Sequence, residues 1–391
     1  MTGRGQVGRP MSQPFAWLKK FALLPALCLA AGASPAPAAS VNGRAYVPLV
    51  DWARANGLKC YWLKRGDELV ATNRTTRLVF DKDSRMAEVN GTDVALSFPV
   101  AVDRGTPYIA QLDLNTAIHP LIYPPRAAAA RRITTICLDP GHGGKDAGNH
   151  TFWRSEKTYT LALAVELRDQ LKQAGFNVIL TRSTDQYIEL PDRPGLANRR
   201  GADLFVSLHF NATPTGKNEV EGPQTYCITP VGASSTDAQG EGANSGATVA
   251  NRCEDKSLLL AYQVQKSLVR NLSAKDRGVR RARYAVLRDA TMPAILVEGG
   301  YMTHPAESKK IYSVAYRRQM AQSIVIGILS YQRLVSPPPP PPVTNRPAPR
   351  VPPAAAAGVN RVATNHSATR PRKSSPAPDP SVIQVKPSTN W

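Results

Sequence analysis

From position 133 to position 335 the sequence alternates short apolar segments with longer amphipathic ones, and this alternation restricts the possible folds more than any other feature. The apolar segments ITTICL, FNVILT, DLFVSLHF, QTYCI and AILVEGG have the length and composition of buried strands. The segments between them have helical periodicity. Strand–helix alternation of this kind predicts an α/β fold with a mostly parallel, twisted sheet that helices flank on both faces.

The first long helical segment, which begins SEKTYTLAL, has clearly marked ends. Ser155 occupies the N-cap position and Gly175 the C-cap position. Four of its apolar residues fall on one face: Leu161, Ala164, Leu167 and Leu171. A short helix is predicted in LPDRPGLANRR, a longer one in AYQVQKSLVRNL, and a final long helix from about Glu307 to Val335. Residues 133–335 are therefore predicted to form the main domain.

The preceding region, residues 41–125, has the pattern of short strands separated by turns. Its apolar segments include RAYVPL, ELVATN, RLVFD and GTPYIAQ. In MAEVNGTDVAL the Asn90-Gly91 pair favours a type I′ turn, which predicts a β-hairpin. These patterns predict a small strand-rich module, connected by a linker at residues 126–132 to the domain that follows.

The two ends of the chain have compositions that do not suit a folded core. Lys19 and Lys20 precede the apolar run FALLPALCLAAG and the small-residue stretch ASPAPAAS, the pattern of a secretory signal peptide at residues 1–39. The run is too short for a permanent membrane-spanning helix, so no stable membrane insertion is expected after cleavage. Residues 336–391 are rich in Pro, Ala, Ser and Thr with scattered basic residues, which predicts a disordered tail.

The net charge restricts the class of partner. The chain has 49 Lys and Arg residues against 29 Asp and Glu, a formal net charge of +20. Such an excess favours nucleic acid, an acidic membrane surface or an anionic cell wall as partner, and it also keeps a protein surface soluble. Export and the absence of a nucleic-acid-binding motif in the sequence argue against nucleic acid.

Export would also place the cysteines in an oxidising compartment, where disulfides persist. Cys60, Cys137, Cys227 and Cys253 match no Cys-x-x-Cys spacing, which argues against a sulfur-ligated zinc site. Cys227 and Cys253 bracket a Gly/Ser/Ala-rich segment, and our hypothesis is that they pair. The disulfide would close a loop of about 25 residues and contribute roughly 3 kcal/mol.

Four polar residues stand where the predicted strands and the first long helix meet. His142 follows ITTICL, His209 ends DLFVSLH, Glu298 ends AILVE, and Glu156 opens the helix. In an open α/β sheet, ligands gather at the carboxyl ends of the strands, so these side chains can converge on one crevice. Two imidazoles and one carboxylate are the usual composition of a hydrolytic zinc site, and a further acidic group nearby would serve as general base.

Each of these residues also has an ordinary explanation. A histidine in a loop is more often a hydrogen-bonding surface residue than a ligand. A glutamate at a helix start complements the helix dipole. Glu298 is harder to explain in this way, because a carboxylate within AILVEGG is costly to bury without a partner. The joint placement of all four residues favours a functional site.

The motifs ICLDPGHGGKDAG, EK, TRSTD, RPGLAN, ADLFVSLHFNA, RGV, YAVLR and MPAILVEGGYMTHP follow one another in this order. They resemble the N-acetylmuramoyl-L-alanine amidase family of zinc cell-wall hydrolases, the amidase-3 type, over roughly half the chain. The resemblance implies Zn²⁺ bound by His142, Glu156 and His209, with Glu298 as the catalytic glutamate. It also implies hydrolysis, in peptidoglycan, of the amide between the lactyl group of N-acetylmuramic acid and L-alanine.

The sequence departs from this family pattern in two places. Where the family usually has Glu-x-Gly-Phe-x-x-Asn, this chain has Tyr301 and His304 at the aromatic and asparagine positions, which bears on substrate positioning. Residues 229–256 form an insertion that we interpret as a mobile lid or rim. Arg277, in RGV, is interpreted as structural or substrate-facing rather than catalytic. The module at 41–125 resembles the copper amine oxidase N-domain-like stalk modules, which bind no copper.

The predicted function is cell-wall remodelling or cell separation by an exported enzyme, in the periplasm or in the extracellular cell wall, with peptidoglycan as partner. An activator protein and the preferred muropeptide are left open by the sequence. Two alternatives fit parts of the pattern. A zinc peptidase that cuts stem-peptide bonds would use the same ligand set. A non-catalytic wall-binding module would not need to keep all four site residues.

Overall fold

In the part of the chain that the structure describes, the strands are short and lie in three sheets. The computed structural model describes residues 39–41, 43–125, 133–151, 153–216, 218–236 and 246–336. The strands in these ranges are β1 (Ala39–Val41), β2 (Arg44–Pro48), β3 (Lys59–Lys64), β4 (Glu68–Thr72), β5 (Arg77–Asp81), β6 (Met86–Val89), β7 (Thr92–Ala95), β8 (Ala101–Asp103), β9 (Thr106–Ala110), β10 (Thr135–Pro140), β11 (His150–Thr151), β12 (Arg154–Ser155), β13 (Asn177–Leu180), β14 (Leu204–Asn211), β15 (Gln224–Cys227), β16 (Val279–Arg281) and β17 (Ala294–Tyr301).

Most of the helical residues follow β10 in the chain. The helices in the described ranges are α1 (Leu49–Ala55), α2 (Gln111–Asp113), α3 (His119–Ile122), α4 (Glu156–Gln173), α5 (Asp192–Arg199), α6 (Glu254–Leu272), α7 (Ala285–Arg288), α8 (Pro305–Tyr312) and α9 (Val314–Val335). A π-helical turn, Leu114–Ile118, links α2 to α3, and a 3₁₀ helix, Val249–Cys253, precedes α6. None of the described helices is long and apolar enough to cross a membrane.

The largest sheet is mixed, and together with the helices it makes the fold α/β. Its strand order is β13-β10-β14-β17-β15-β16-β7-β6-β5-β4-β3. Strands β13, β10, β14 and β17 are mutually parallel, whereas β15 runs antiparallel to β17 and parallel to β16. The carboxyl ends of the four parallel strands therefore lie along one edge. The smaller sheets are β1-β2-β9-β8 and the hairpin β11-β12.

The strand-rich N-terminal module continues the main sheet. Strands β3 to β7 form an antiparallel meander, and β7 joins β16 in parallel through the pair Val94 and Val279. The predicted hairpin between β6 and β7 is present, with positive φ angles of 47° at Asn90 and 78° at Gly91, as a type I′ turn requires. The Tyr262 hydroxyl of α6 donates to the Val89 carbonyl oxygen at 2.9 Å. The two regions thus share backbone hydrogen bonds as well as a core.

Helices cover both faces of the sheet around its parallel strands. Helices α4, α6 and α9 pack on one face, and α5 and α7 contribute to a second apolar cluster on the other. In α4 the buried positions include Leu163, Ala164, Leu167 and Leu171, while Leu161 is only half-buried. Three of the four residues predicted on one face of α4 are therefore buried, and Leu161 lies at the margin of the buried face, which is centred on Leu163.

The final helix is interrupted. A single helix from about Glu307 to Val335 was expected, but Ser313 is extended, with φ −78° and ψ 130°, and separates α8 from α9. The guanidinium of Arg317 donates to the Ile311 carbonyl oxygen at 2.7 Å, which satisfies an acceptor left without a helical partner. Helix α1, strand β3 and the helical segment after β9 were not predicted.

The described cysteines are all free thiols, so the Cys227–Cys253 disulfide hypothesis was wrong. The sulfur of Cys227 is buried and accepts a hydrogen bond from Arg281 at 3.3 Å, while that of Cys253 lies 3.7 Å from the Thr291 carbonyl oxygen. The predicted signal peptide, linker and Pro-rich tail lie outside the described residues except at Ala39 and Ser336, and so does part of the 229–256 insertion.

Candidate metal centre

The loop after β10 brings His142 to the edge of the sheet where the carboxyl ends of the parallel strands lie. The conformation of this loop requires glycine on both sides of His142. His142 itself has a positive φ of 63°, which non-glycine residues rarely adopt. A Cβ atom on Gly141 would lie 2.3 Å from Cε1 of the His209 ring. The Gly-His-Gly-Gly sequence thus permits a tight turn that places the two imidazoles against each other, with ring centroids 4.8 Å apart.

The other three predicted site residues reach the same place from different elements. His209 and Glu298 are register partners on the parallel strands β14 and β17. Glu156 is the first residue of α4. Three of the four, His142, Glu156 and His209, offer ligand atoms that all lie within 4.8 Å of one another, so these side chains could hold a metal ion.

Glu156 is the centre of this cluster. One of its oxygens, Oε2, lies 3.0 Å from Nε2 of His142, and the other, Oε1, lies 3.0 Å from Nδ1 of His209. Asn149 donates to Oε2 from both its backbone and side-chain nitrogens, and the Phe210 backbone N–H donates to Oε1, each at 2.9 Å. Burial alone would raise the pKa of Glu156, but the hydrogen bonds from the two histidines hold it well below its usual range.

His142 is oriented by a residue that the sequence reasoning missed. Its Nδ1 lies 2.8 Å from Oδ2 of Asp146, which leaves Nε2 turned toward Glu156. Burial lowers the pKa of His142, but the hydrogen bonds to Glu156 and Asp146 outweigh burial and raise it. A carboxylate behind a ligand histidine fixes the ring and its tautomer in metal sites. Asp146 lies in the same motif, four positions after His142, and this spacing was the available signal.

Two buried arginines brace the loop, and neither was predicted to do so. Arg182 donates to the carbonyl oxygens of Pro140 and Gly141 at 2.9 and 2.8 Å. Arg193 pairs with the fully buried Asp139 at 2.9 Å and donates to the His142 carbonyl oxygen at 2.9 Å. These contacts explain the TRSTD and RPGLAN motifs, because each arginine satisfies backbone acceptors that a tight buried turn leaves without partners.

Glu298 differs from Glu156 in its surroundings. The residue is half-buried, but its Oε2 atom is sealed from solvent and has no hydrogen-bond partner among the described residues. Burial, with a smaller contribution from the charge of Glu156, raises the pKa of Glu298 well above its usual value. A sealed carboxylate oxygen without a partner is costly, and such a cost is typical of a group that acts on a ligand.

A cavity of about 320 Å³ opens over this cluster. Polar and apolar side chains from different elements line the cavity. The polar lining residues are His142, Asn149, Glu156, His209 and Glu298, and the apolar and aromatic ones are Leu190, Tyr284, Ala285, Val286 and Leu296. A cavity with this lining can hold a ligand that carries both a polar group and a small apolar group.

Of the two departures in the last motif, the one at His304 has a structural explanation. His304 is the N-cap of α8, and its Nδ1 accepts a hydrogen bond from the Glu307 backbone N–H at 3.2 Å. Asparagine is a strong N-cap residue, so His304 performs the capping that the usual asparagine can perform. Tyr301 ends β17 and is buried. His150 lies in β11 and His119 in α3, and neither belongs to the cluster.

The fold and the cluster define a class of protein: an α/β protein with a site in which two histidines and a glutamate can hold a metal beside a further carboxylate. Residues 136–330 match the family described as N-acetylmuramoyl-L-alanine amidase, and residues 31–118 match the family described as copper amine oxidase N-terminal domain. The chain belongs to the N-acetylmuramoyl-L-alanine amidase family.

The chain is also similar to individual proteins. The chain is 34% identical over 209 residues to the uncharacterized protein YqiI of Bacillus subtilis, a match that covers 53% of this chain and 90% of the relative. It is 32% identical over 233 residues to the N-acetylmuramoyl-L-alanine amidase AmiA of Escherichia coli, which covers 53% and 79%. A solved N-acetylmuramoyl-L-alanine amidase from Clostridium difficile 630 is 36% identical, with a TM-score of 0.44, and covers 52% of this chain and 98% of that one.

Proposed function

We propose that this protein hydrolyses the amide bond between the lactyl group of N-acetylmuramic acid and L-alanine in peptidoglycan, and that zinc is its metal. The observation that carries the proposal is that two carboxylates with different surroundings line the same cavity. Glu156 is saturated with hydrogen bonds between two histidines, whereas Glu298 has a sealed oxygen without a partner among the described residues.

The donor set fits zinc. His142, Glu156 and His209 supply two imidazole nitrogens and a carboxylate, the combination found in hydrolytic zinc sites that keep a further position open. Asp146 behind His142, and Asn149 behind Glu156, are the hydrogen-bonding supports that such ligands need. A zinc ion held there would supply Lewis-acid activation of the amide carbonyl and of the attacking water.

Glu298 would move the proton in this reaction. A general base works best when its pKa lies near the operating pH, and burial raises the pKa of Glu298 in that direction. It would accept a proton from the attacking water and deliver it to the amine of the leaving L-alanine. His209 is its register partner on the next strand, so the proton-transferring carboxylate is held beside the ligand cluster by two rigid strands.

The substrate proposal follows from the family and from the shape of the cavity. The apolar lining residues, which include Val286 and Leu296, suit the methyl groups that flank the scissile amide in the lactyl group and in alanine. The net charge of +20 would favour contact with an anionic cell wall. We further propose that the enzyme is exported and acts in the periplasm or the extracellular wall.

Digestion of purified peptidoglycan, followed by mass spectrometry, tests the proposed bond. The expected products are stem peptides with a free L-alanine amino group and unsubstituted muramic acid in the glycan. The Glu298→Gln variant, loaded with zinc to the same stoichiometry, is the matched control. Products cut within the stem peptide would instead identify a zinc peptidase, and intact peptidoglycan with a zinc-loaded enzyme would reject catalysis on this substrate.

A further inference from the structure

The loop between α6 and β16 places a positively charged side chain, that of Arg277, at the edge of the sheet where the carboxyl ends of the parallel strands lie. Its anchor is Asp276, whose Oδ2 accepts the Asp93 backbone N–H of the N-terminal module at 3.0 Å. The other oxygen, Oδ1, accepts from Gln265 of α6 at 2.7 Å and from the Gly278 backbone N–H at 2.8 Å. The loop is therefore held from both sides, by the module and by the amidase domain.

Glycine at position 278 is part of this anchoring. Gly278 has a φ of 83°, and a Cβ atom there would lie 2.8 Å from Cε of Met86 and 3.0 Å from the Asp93 carbonyl oxygen. The module thus packs directly against the loop backbone. The loop cannot shift without breaking these contacts. Arg277, which lies between the anchored residues Asp276 and Gly278, therefore has a defined position.

Arg277 has only neutral partners in the described part of the chain. Its Nε donates to Oε1 of Gln224 at 3.4 Å, and its guanidinium carbon lies 5.2 Å from the centre of the Tyr301 ring. Among the described residues it forms no ion pair with a carboxylate. Arg277 is half-buried, and a partly desolvated guanidinium favours a carboxylate partner that can accept hydrogen bonds from its planar fork.

Arg277 is related to Glu298 through Gln224. Gln224 is the register partner of Glu298 on the antiparallel pair β15–β17, so their side chains stand on the same face of the sheet. Adjacent strands are about 5 Å apart, and an extended peptide advances about 3.5 Å per residue. In the proposed reaction the amine of L-alanine receives the proton from Glu298. An anionic group one or two residues after L-alanine in the substrate peptide would therefore come within reach of Arg277.

We propose that Arg277 is a specificity-determining residue that binds a substrate carboxylate on the leaving-peptide side, at the residue that follows L-alanine. The inference rests on the proposed amidase function, in which Glu298 delivers a proton to the alanine amine. The ligand class is an acidic peptide whose second residue has a free α-carboxylate, as D-isoglutamate does. The corresponding amide, D-isoglutamine, has the same shape without the charge.

The test is a pair of muropeptides that differ only in this group, one with D-isoglutamate and one with D-isoglutamine as second residue. The wild-type enzyme should prefer the acid. Arg277→Gln should lower kcat/KM on the acid roughly 10- to 100-fold, mainly through KM, and should lower kcat/KM on the amide much less, because an amide oxygen accepts only a weaker hydrogen bond from the guanidinium. Arg277→Lys, which keeps the charge but not the fork, should fall between the two.

Lys275→Gln is the control, since Lys275 is an exposed cation in the same loop, and it should leave the preference unchanged. Equal losses on both muropeptides in Arg277→Gln and Arg277→Lys, or no preference in the wild type, would overturn the proposal. Zinc content and thermal unfolding of each variant separate a binding effect from a folding defect. If the wild type cuts neither muropeptide before L-alanine, the proposed function itself fails, and this outcome is distinct from a lost preference.

Discussion

His142 donates a hydrogen bond from Nδ1 to Oδ2 of Asp146 across 2.8 Å, so the other ring nitrogen faces Glu156. The pKa of Asp146 is lowered although burial opposes this, because the hydrogen bond from His142 favours the carboxylate. The charged form of Asp146 thus fixes the tautomer of His142. Asp146 therefore supports the candidate metal centre, although it is not one of the residues whose ligand atoms form the cluster.

Replacement of Asp146 by alanine should weaken zinc binding by roughly 10- to 100-fold, because His142 loses the acceptor that orients its ring. Titration with a competing chelator measures this affinity. Activity should return when zinc is supplied in excess. Asp169→Ala, which removes an exposed aspartate on α4, is the control. Unchanged zinc affinity in Asp146→Ala would show that the loop alone orients the histidine.

Glu298→Gln and His142→Ala should fail in different ways. The amide in Glu298→Gln cannot accept a proton at neutral pH, so turnover should fall by roughly 10²- to 10⁴-fold while bound zinc stays near wild type. His142→Ala removes one of the three ligand groups and should lose zinc and activity together. Metal analysis beside amidase assays distinguishes the two. A Glu298→Gln enzyme with near-normal turnover would assign proton transfer to another group.

Arg193→Met should destabilise the fold through Asp139. It leaves a fully buried carboxylate whose remaining hydrogen-bond donors among the described residues are the hydroxyls of Thr181 and Ser207, at 2.6 and 2.8 Å. Loss of one partner of a buried ion pair costs about 3–5 kcal/mol. Urea unfolding monitored by circular dichroism gives the change in free energy. Arg168→Met, at an exposed pair on α4, should show little change, and an equally small effect for Arg193→Met would contradict this account.

Asp93→Asn should stabilise the junction between the module and the amidase domain above about pH 6. Burial, then the negative charges of Asp276, Glu88 and Asp81, raise the pKa of Asp93 from 3.8 to about 6, while Arg280 lowers it. Between pH 3.8 and about pH 6 the folded protein retains a proton on Asp93 that the unfolded chain has lost. The contribution of Asp93 to stability is therefore full below pH 3.8 and is lost as pH rises through about 6.

Asparagine has no such proton to lose, so Asp93→Asn should not show that decline. Above about pH 6 its free energy of unfolding should exceed that of the wild type by about 1 kcal/mol, after allowance for solvent screening of a half-exposed group. Thermal unfolding of Asp93→Asn and wild type at several pH values checks this. The two curves should converge below pH 3.8 and separate above about 6. Asp103→Asn, at an exposed position in β8, should show no such separation. A constant difference at all pH values would mean that the charge of Asp93 is not responsible.

Gly141→Ala should abolish zinc binding although every ligand residue remains. The added Cβ atom would lie 2.3 Å from the His209 ring, so either the loop or the imidazole must move. Gly195→Ala is the matched control, because its Cβ atom would approach only the flexible end of Arg199, at 3.1 Å, and its backbone is helical. Wild-type zinc content in Gly141→Ala would show that the loop accommodates a side chain.

Local sequence patterns predicted the elements that carry the site. The apolar runs before His142, His209 and Glu298 have few compact solutions other than buried strands, and their order with intervening helices favours a parallel arrangement. The Asn90-Gly91 turn was predictable because its conformation depends on two residues alone. The expected single helix to Val335 was wrong, because an interruption at Ser313 depends on packing and on a hydrogen bond from Arg317 rather than on periodicity.

What the sequence by itself determined is the α/β class and which residues could form a metal centre, because strand and helix periodicity and motif order are local properties of the chain. The tertiary structure decided how these parts are joined. Strand β7 extends the main sheet through β16, Asp276 and Gly278 bind the module, and Asp139 pairs with Arg193 from a distant helix. The hydrogen bond between Asp93 and Asp276 alone joins positions 183 residues apart, and such contacts form because buried polar groups must find partners wherever the fold brings them.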